Sequence, residues 1–127
     1  MQYVLTIYEN AKDFAAREGA AAQDYWAGWS AYAKALREAG IPENGAALQP
    51  PGSATTVRLS NGSRTVHDGP YADTKEQIGG YMIIDVPTLD EALAWAARCP
   101  AAASGAVEVR PALAVNAVTA QMVESGA

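Results

Sequence analysis

From Gln2 to Tyr8 the side chains alternate, with Tyr3, Leu5 and Ile7 on one side and Val4, Thr6 and Tyr8 on the other. That two-residue period, in β-branched and aromatic residues, predicts a first strand. A polar segment, Glu9 to Gly19, follows without a period. Between about Ala20 and Ala39 the period changes. Tyr25, Trp29, Tyr32 and Leu36 recur at helical spacing, and Trp26 and Ala33 widen the stripe. Gly40 and Pro42 then end the helix.

Short strands separated by turn residues come next. Gln49-Pro50-Pro51-Gly52 predicts a loop, because two prolines cannot donate to a ladder. Thr55–Ser60 and Ser63–Asp68 flank Asn61-Gly62, the preferred pair of a two-residue type I′ turn. That turn fixes a register: Ser60 opposite Ser63, Arg58 opposite Thr65, Val57 opposite Val66, and Thr56 opposite His67. Val57, Leu59 and Val66 then share a face expected to join the core, and Thr56, Arg58, Thr65 and His67 share the polar face. Tyr81–Val86 is a nearly unbroken apolar run, typical of a central strand. Thr88 and Glu91 are spaced as a capping box for a second helix. Its expected buried stripe is Leu89, Ala92, Leu93 and Ala96, with Trp95 off the stripe and Pro100 as the stop. Ala106–Arg110 alternates again, Val107 and Val109 against Glu108 and Arg110.

The order β-α-β-β-β-α-β is a βαββαβ plan with an extra hairpin strand. Two helices on one face of a mainly antiparallel sheet make a ferredoxin-like α+β sandwich. The expected organisation is one domain over residues 1–112 and a C-terminal tail over 113–127, with weak amphipathic character at Val118 and Met122. One helix layer leaves the other sheet face uncovered. That face is expected to carry Val4, Thr6, Tyr8, Met82, Ile84 and Val86 among Thr65, His67, Glu108 and Arg110, or the complementary set. It is too apolar for water, so a homodimer with a partly polar cavity between the sheets is expected.

Composition narrows the functional classes. Half of the residues are apolar, 18% are charged, and the formal charge is −5. An acidic surplus argues against direct nucleic-acid binding. There is no apolar run long enough to span a bilayer and no basic-then-apolar leader, so a cytoplasmic protein without a membrane partner is expected. Cys99 and His67 are each the only residue of their type. An internal disulfide, a cysteine-based zinc site and a multi-histidine metal centre are therefore excluded within one chain, and no metal or cofactor is expected. Cys99, at a helix C-terminus, is expected to be buried and inert.

The densest candidate chemistry lies in Asp68-Gly69-Pro70-Tyr71-Ala72-Asp73-Thr74-Lys75-Glu76-Gln77-Ile78-Gly79-Gly80-Tyr81. Asp-Gly-Pro is a turn by conformation alone. The loop offers three carboxylates, an ammonium and a phenol, either as the lip of a pocket or as an ordinary solvated loop. Gly79-Gly80 lacks the spacing of a phosphate-binding loop.

This run resembles the signature of the DGPF-domain family, a branch of the YCII-related proteins, with Tyr71 in place of the family's Phe. The opening strand Tyr3–Tyr8, Leu48-Gln49-Pro50-Pro51 with Ala54–Arg58, and Val107–Pro111 agree. The resemblance spans roughly residues 1 to 112 and implies a dimeric α+β barrel. It also implies a suggested tie to transcription initiation through association with sigma factors. The wider group's His–Asp pair has no counterpart here: Trp29 stands at the histidine position and Cys99-Pro100 replaces Asp-Pro. The leading expectation is a small-molecule-binding protein, in its catalytic form a cofactor-independent enzyme acting by acid/base chemistry on a small polar or anionic molecule. Asp68 or Glu76 is expected to transfer the proton, and Lys75 and Arg110 to stabilise negative charge. Tyr71 would shape the wall and His67 would contact the ligand. Arg110 has the alternative of pairing with Glu108, and His67 that of a plain strand residue. The competing class is a non-catalytic regulatory or interaction protein.

Overall fold

The computed structural model describes residues 1–114, so the expected amphipathic tail at Val118 and Met122 lies outside the described residues. The elements are β1 (Gln2–Glu9), α1 (Ala11–Ala16), α2 (Ala22–Glu38), β2 (Glu43–Ala47), β3 (Thr55–Ser60), β4 (Ser63–Asp68), β5 (Gln77–Asp85), α3 (Leu89–Arg98), α4 (Pro100–Ser104) and β6 (Ala106–Pro111). The main sheet has the order β2-β5-β1-β6, and every pairing in it is antiparallel. With two crossover helices this is the ferredoxin-like βαββαβ plan. The extra hairpin, β3-β4, forms a two-stranded sheet of its own. Its register is the one that Asn61-Gly62 dictates, with Asn61 in the left-handed region at φ 52°.

Tyr3, Leu5 and Ile7 of β1 and Ile84 of β5 bury against Tyr32 and Leu36 of α2 and Ala92 and Ala96 of α3. Tyr32 donates its hydroxyl to the Trp95 carbonyl at 2.8 Å, which ties the two helices together. Cys99 is 2% exposed, as expected, and burial raises its thiol pKa to about 11.

Several expectations need correction. β2 was not foreseen: Glu-Asn-Gly-Ala-Ala has no bulky or β-branched residue, yet it pairs along β5 from Glu43↔Ile84 to Ala47↔Gly80. Gly45 makes this possible, because a Cβ there would collide with the Tyr81 carbonyl. α1 was also missed. It is six residues long and starts at a capping box, in which Asn10 accepts from the Asp13 amide and Asp13 from the Asn10 amide. Val57, Leu59 and Val66 do not join the core, because the ribbon stands off the main sheet and leaves them 57%, 74% and 54% exposed. Leu89 and Leu93 are also exposed, and Trp95 packs against the core instead. The helix has rotated to place Ala92, Trp95 and Ala96 inward.

The open face of the sheet carries Val4, Thr6 and Tyr8 as expected, with Glu108 and Arg110. Met82, Ile84 and Val86 turn to the helices, and Tyr81 and Ile83 take the open face in their place. Thr65 and His67 lie on the ribbon rather than on this face. The pairing of β1 with β5 shifts between Ile7 and Tyr8: Ile7 faces Gly80 and Tyr8 faces Ile78. Gly79 is the extra, bulged residue.

Candidate functional site

Strand alternation continued one step past Ile7 puts Glu9 on the helix side of the sheet, where it is 2% exposed. An ionised carboxylate there is costly unless it is paired and hydrogen-bonded. Its partners come from the next two helical segments. Arg17, just past α1, donates from Nη2 to Glu9 Oε1 at 2.7 Å, and Tyr25 of α2 donates its hydroxyl to Glu9 Oε2 at 2.6 Å. Arg17 also donates from Nε to the Tyr25 oxygen at 3.2 Å, from Nη2 to the Gly79 carbonyl at 2.9 Å, and from Nη1 to the Leu48 carbonyl. The guanidinium stacks 4.8 Å from the Phe14 ring centroid, while the Trp26 indole N–H donates to the Arg17 carbonyl at 3.1 Å. One arginine thus ties together β1, α2, the bulge in β5 and the Leu48 segment.

Gly79 is required by this packing. A Cβ on it would enter the space of the Glu9 carboxylate and lie 3.0 Å from Arg17 Nη2. Burial raises the Tyr25 pKa, and its hydrogen bond to Glu9 adds to the rise. Burial alone would lower the Arg17 pKa, but the hydrogen bonds to Glu9 and Tyr25 outweigh it and raise it.

The cluster forms one wall of a hollow of about 200 Å³ between α2 and the sheet. Tyr25, Trp26 and Trp29 line the helix side. Ile7, Met82, Gly79, Gly80 and the β2 residues Glu43, Gly45 and Ala47 line the sheet side. On its other flank Glu9 borders a smaller hollow with Asp13, Asp24, Tyr25, Trp29 and Pro100. Trp29, where the resemblance places the wider group's histidine, and Pro100, the residue after Cys99 at its aspartate position, both line this smaller hollow.

The residues singled out in the sequence lie outside this cluster. Asp68 ends β4 opposite Thr55, and His67 sits opposite Thr56 on the exposed ribbon. Tyr71 is exposed and accepts a hydrogen bond from Arg58 Nη2 at 2.9 Å, which, with the Arg58 charge, lowers its pKa. Arg110 pairs with Glu108 at 2.6 Å on the open face. Glu76 and Tyr71 line an open hollow of about 540 Å³ with Tyr8, Thr55 and Gln77. Lys75 lines another, of about 470 Å³, with Asp73, Phe14 and Glu9. The loop thus shares a hollow with Glu9 and with Phe14, on which Arg17 stacks. Among the described residues no group of three or more His, Cys, Asp or Glu side chains is placed to hold a metal ion, and no helix is long and apolar enough to cross a membrane.

Glu9, Arg17 and Tyr25 were missed in the sequence. The signal that finds them is the inward phase of Tyr3, Leu5 and Ile7, which carries a carboxylate into the core and demands a cation nearby.

The pattern of the YCII-related domain matches residues 1–116 of this chain. An uncharacterized protein of Rhizobium meliloti (strain 1021) is 44% identical over 84 residues, covering 65% of this chain and 68% of that protein. A solved structure of a 5-chloro-2-hydroxyhydroquinone dehydrochlorinase from Burkholderia phenoliruptrix AC1100, in complex with 2,5-dihydroxybenzoquinone, is 16% identical. It covers 89% of this chain and 94% of its own, with a TM-score of 0.46.

Proposed function

The chain belongs to the YCII-related domain family, and we propose that it binds one small, ring-sized molecule in the hollow between α2 and the sheet, with Glu9 as its polar pole. The observation that carries this reading is a buried carboxylate held on a cavity wall by Arg17 and Tyr25. The size fits a single ring, since an apolar cavity of roughly 150 Å³ admits benzene. Tyr25, Trp26 and Trp29 offer ring faces and edges for stacking.

The charge on the wall selects the ligand's chemistry. Four of the five N–H groups of Arg17 are committed to Glu9, Gly79, Leu48 and Tyr25. The carboxylates of Glu9 and Glu43 both line the hollow, and a carboxylate has more acceptor sites than the two that Arg17 and Tyr25 fill on Glu9. A neutral molecule bearing hydroxyl or amino donors suits this wall, and an anion does not. Of the polar and anionic molecules expected from the sequence, the polar class is favoured.

The chemistry offered at this pole is proton transfer without a cofactor. Glu9 accepts a proton from the bound donor, and the Tyr25 hydroxyl holds the carboxylate in place. The 68–77 loop is the proposed lip. Lys75 and Asp73 line a hollow that Glu9 also borders, which favours a role for the loop at the entrance. Asp68, Glu76, Tyr71 and His67 stay on the exposed loop and ribbon, and Arg110 stays on the open sheet face. We also propose a homodimer closed through the open sheet face, supported by Val4, Tyr8, Tyr81 and Ile83 on a face that no helix among the described residues covers.

The test is calorimetric titration with phenol, aniline and benzoate. Phenol and aniline bind and benzoate does not, and Trp29→Leu and Glu9→Gln each weaken phenol binding at least about tenfold. Failure of all three probes at millimolar concentration, or phenol binding unchanged in both variants, overturns the reading in favour of a non-catalytic interaction protein.

A further inference from the structure

We propose that the β3-β4 ribbon is an arm that packs against a second copy of this chain through the face bearing Val57, Leu59 and Val66. The inference rests on the dimer reading above and adds a second contact to it. Every residue in either strand of the ribbon is exposed except Thr56. A two-stranded hairpin alone in water is marginally stable. One face of this ribbon is tied down: Thr56 donates to the Gly69 carbonyl at 2.9 Å, and Arg58 donates to the Tyr71 hydroxyl. The opposite face places Val57 across from Val66, and Leu59 across from Arg64, all in water. Contiguous exposed apolar surface of this kind marks a contact.

Two observations point to the same chain as the occupant. The first is charge. The ribbon, Thr55–Asp68, carries Arg58 and Arg64 against the one carboxylate of Asp68 at its root, so it is net positive in a chain of net charge −5 and the rest of the molecule holds the acidic surplus. A second copy therefore presents an acidic body to a basic, apolar arm. The second is continuity. The root of the ribbon, Thr55 and Thr56, lines a hollow together with Tyr8 and Ile78 of the open sheet face. The arm and the uncovered face adjoin, and a two-fold copy can cover both at once.

The experiment is sedimentation equilibrium on the full chain, with hydrogen exchange of the ribbon amides read across a dilution series. The wild type is dimeric, and its ribbon amides lose protection on dilution. Leu59→Asp combined with Val66→Asp weakens association by roughly a hundredfold, as central apolar contacts do, while Ser63→Asp on the opposite face leaves it unchanged. Tyr81→Asp, on the sheet, weakens it independently. Both ribbon substitutions are at exposed positions, and circular dichroism checks that the variants stay folded. A wild-type dimer with the same dissociation constant in the double variant, or ribbon protection that ignores concentration, overturns the arm and leaves the sheet-face dimer standing. A wild type that stays monomeric at high concentration overturns both.

Discussion

Replacing Arg17 by methionine tests whether the Glu9 cluster is held as the geometry indicates. Methionine keeps much of the apolar stem that packs on Phe14 and removes the guanidinium. The Arg17 and Glu9 side chains are 10% and 2% exposed, so water does little to screen what remains. Glu9 would keep only the Tyr25 hydroxyl, and the carbonyls of Gly79 and Leu48 would lose a donor. Breaking a buried ion pair from one side costs about 3–5 kcal/mol. With an urea slope of roughly 1.5 kcal/mol/M, the unfolding midpoint falls by about 2–3 M. The double variant Glu9→Gln with Arg17→Met removes the stranded charge and recovers about 2 kcal/mol of that loss, the coupling expected of residues in direct contact. Urea denaturation followed by tryptophan fluorescence reads both numbers. An Arg17→Met protein within about 1 kcal/mol of wild type, or a double variant no better than the single one, refutes the account of Glu9 as a charge neutralised in place.

Two further outcomes follow from the same packing. Gly79→Ala pushes a methyl group into the Glu9 carboxylate and against Arg17, and thermal melting should show a loss of about 1–3 kcal/mol; an unchanged melting temperature refutes the close approach. The thiol of Cys99 is raised from 9.0 to about 11, mainly by burial. A folded-state pKa above the unfolded one gives stability that is intact below pH 9 and declines as pH rises toward 11. Cys99→Ala should flatten part of that decline in alkaline urea titrations, and an identical slope in the variant counts against it.

Much of this fold was legible because local rules and packing agree. Asn61-Gly62 set every pair of the hairpin, and the stripe from Tyr25 to Leu36 located α2 to within about two residues at either end. What escaped was decided by tertiary contact. β2 is a strand because β5 offers its edge and because Gly45 and Ala46 are small enough to lie against Tyr81 and Gly80, which no propensity reveals. α3 turned Trp95 inward because Tyr32 receives it. The loop from Asp68 drew attention through its density of charged side chains, but density on a surface says nothing about desolvation. Glu9 looked like the first residue of a polar linker, although its phase with Leu5 and Ile7 had already placed it inside.

The one-residue excess at Gly79 reverses the parity of β5. Beyond it Gly80, Met82 and Ile84 face inward in step with β1, while before it Ile78 turns outward. Sequence changes in the loop are thereby uncoupled from the phase of the strand that follows. The inward phase of β5 therefore hangs on a residue without a side chain at this one position.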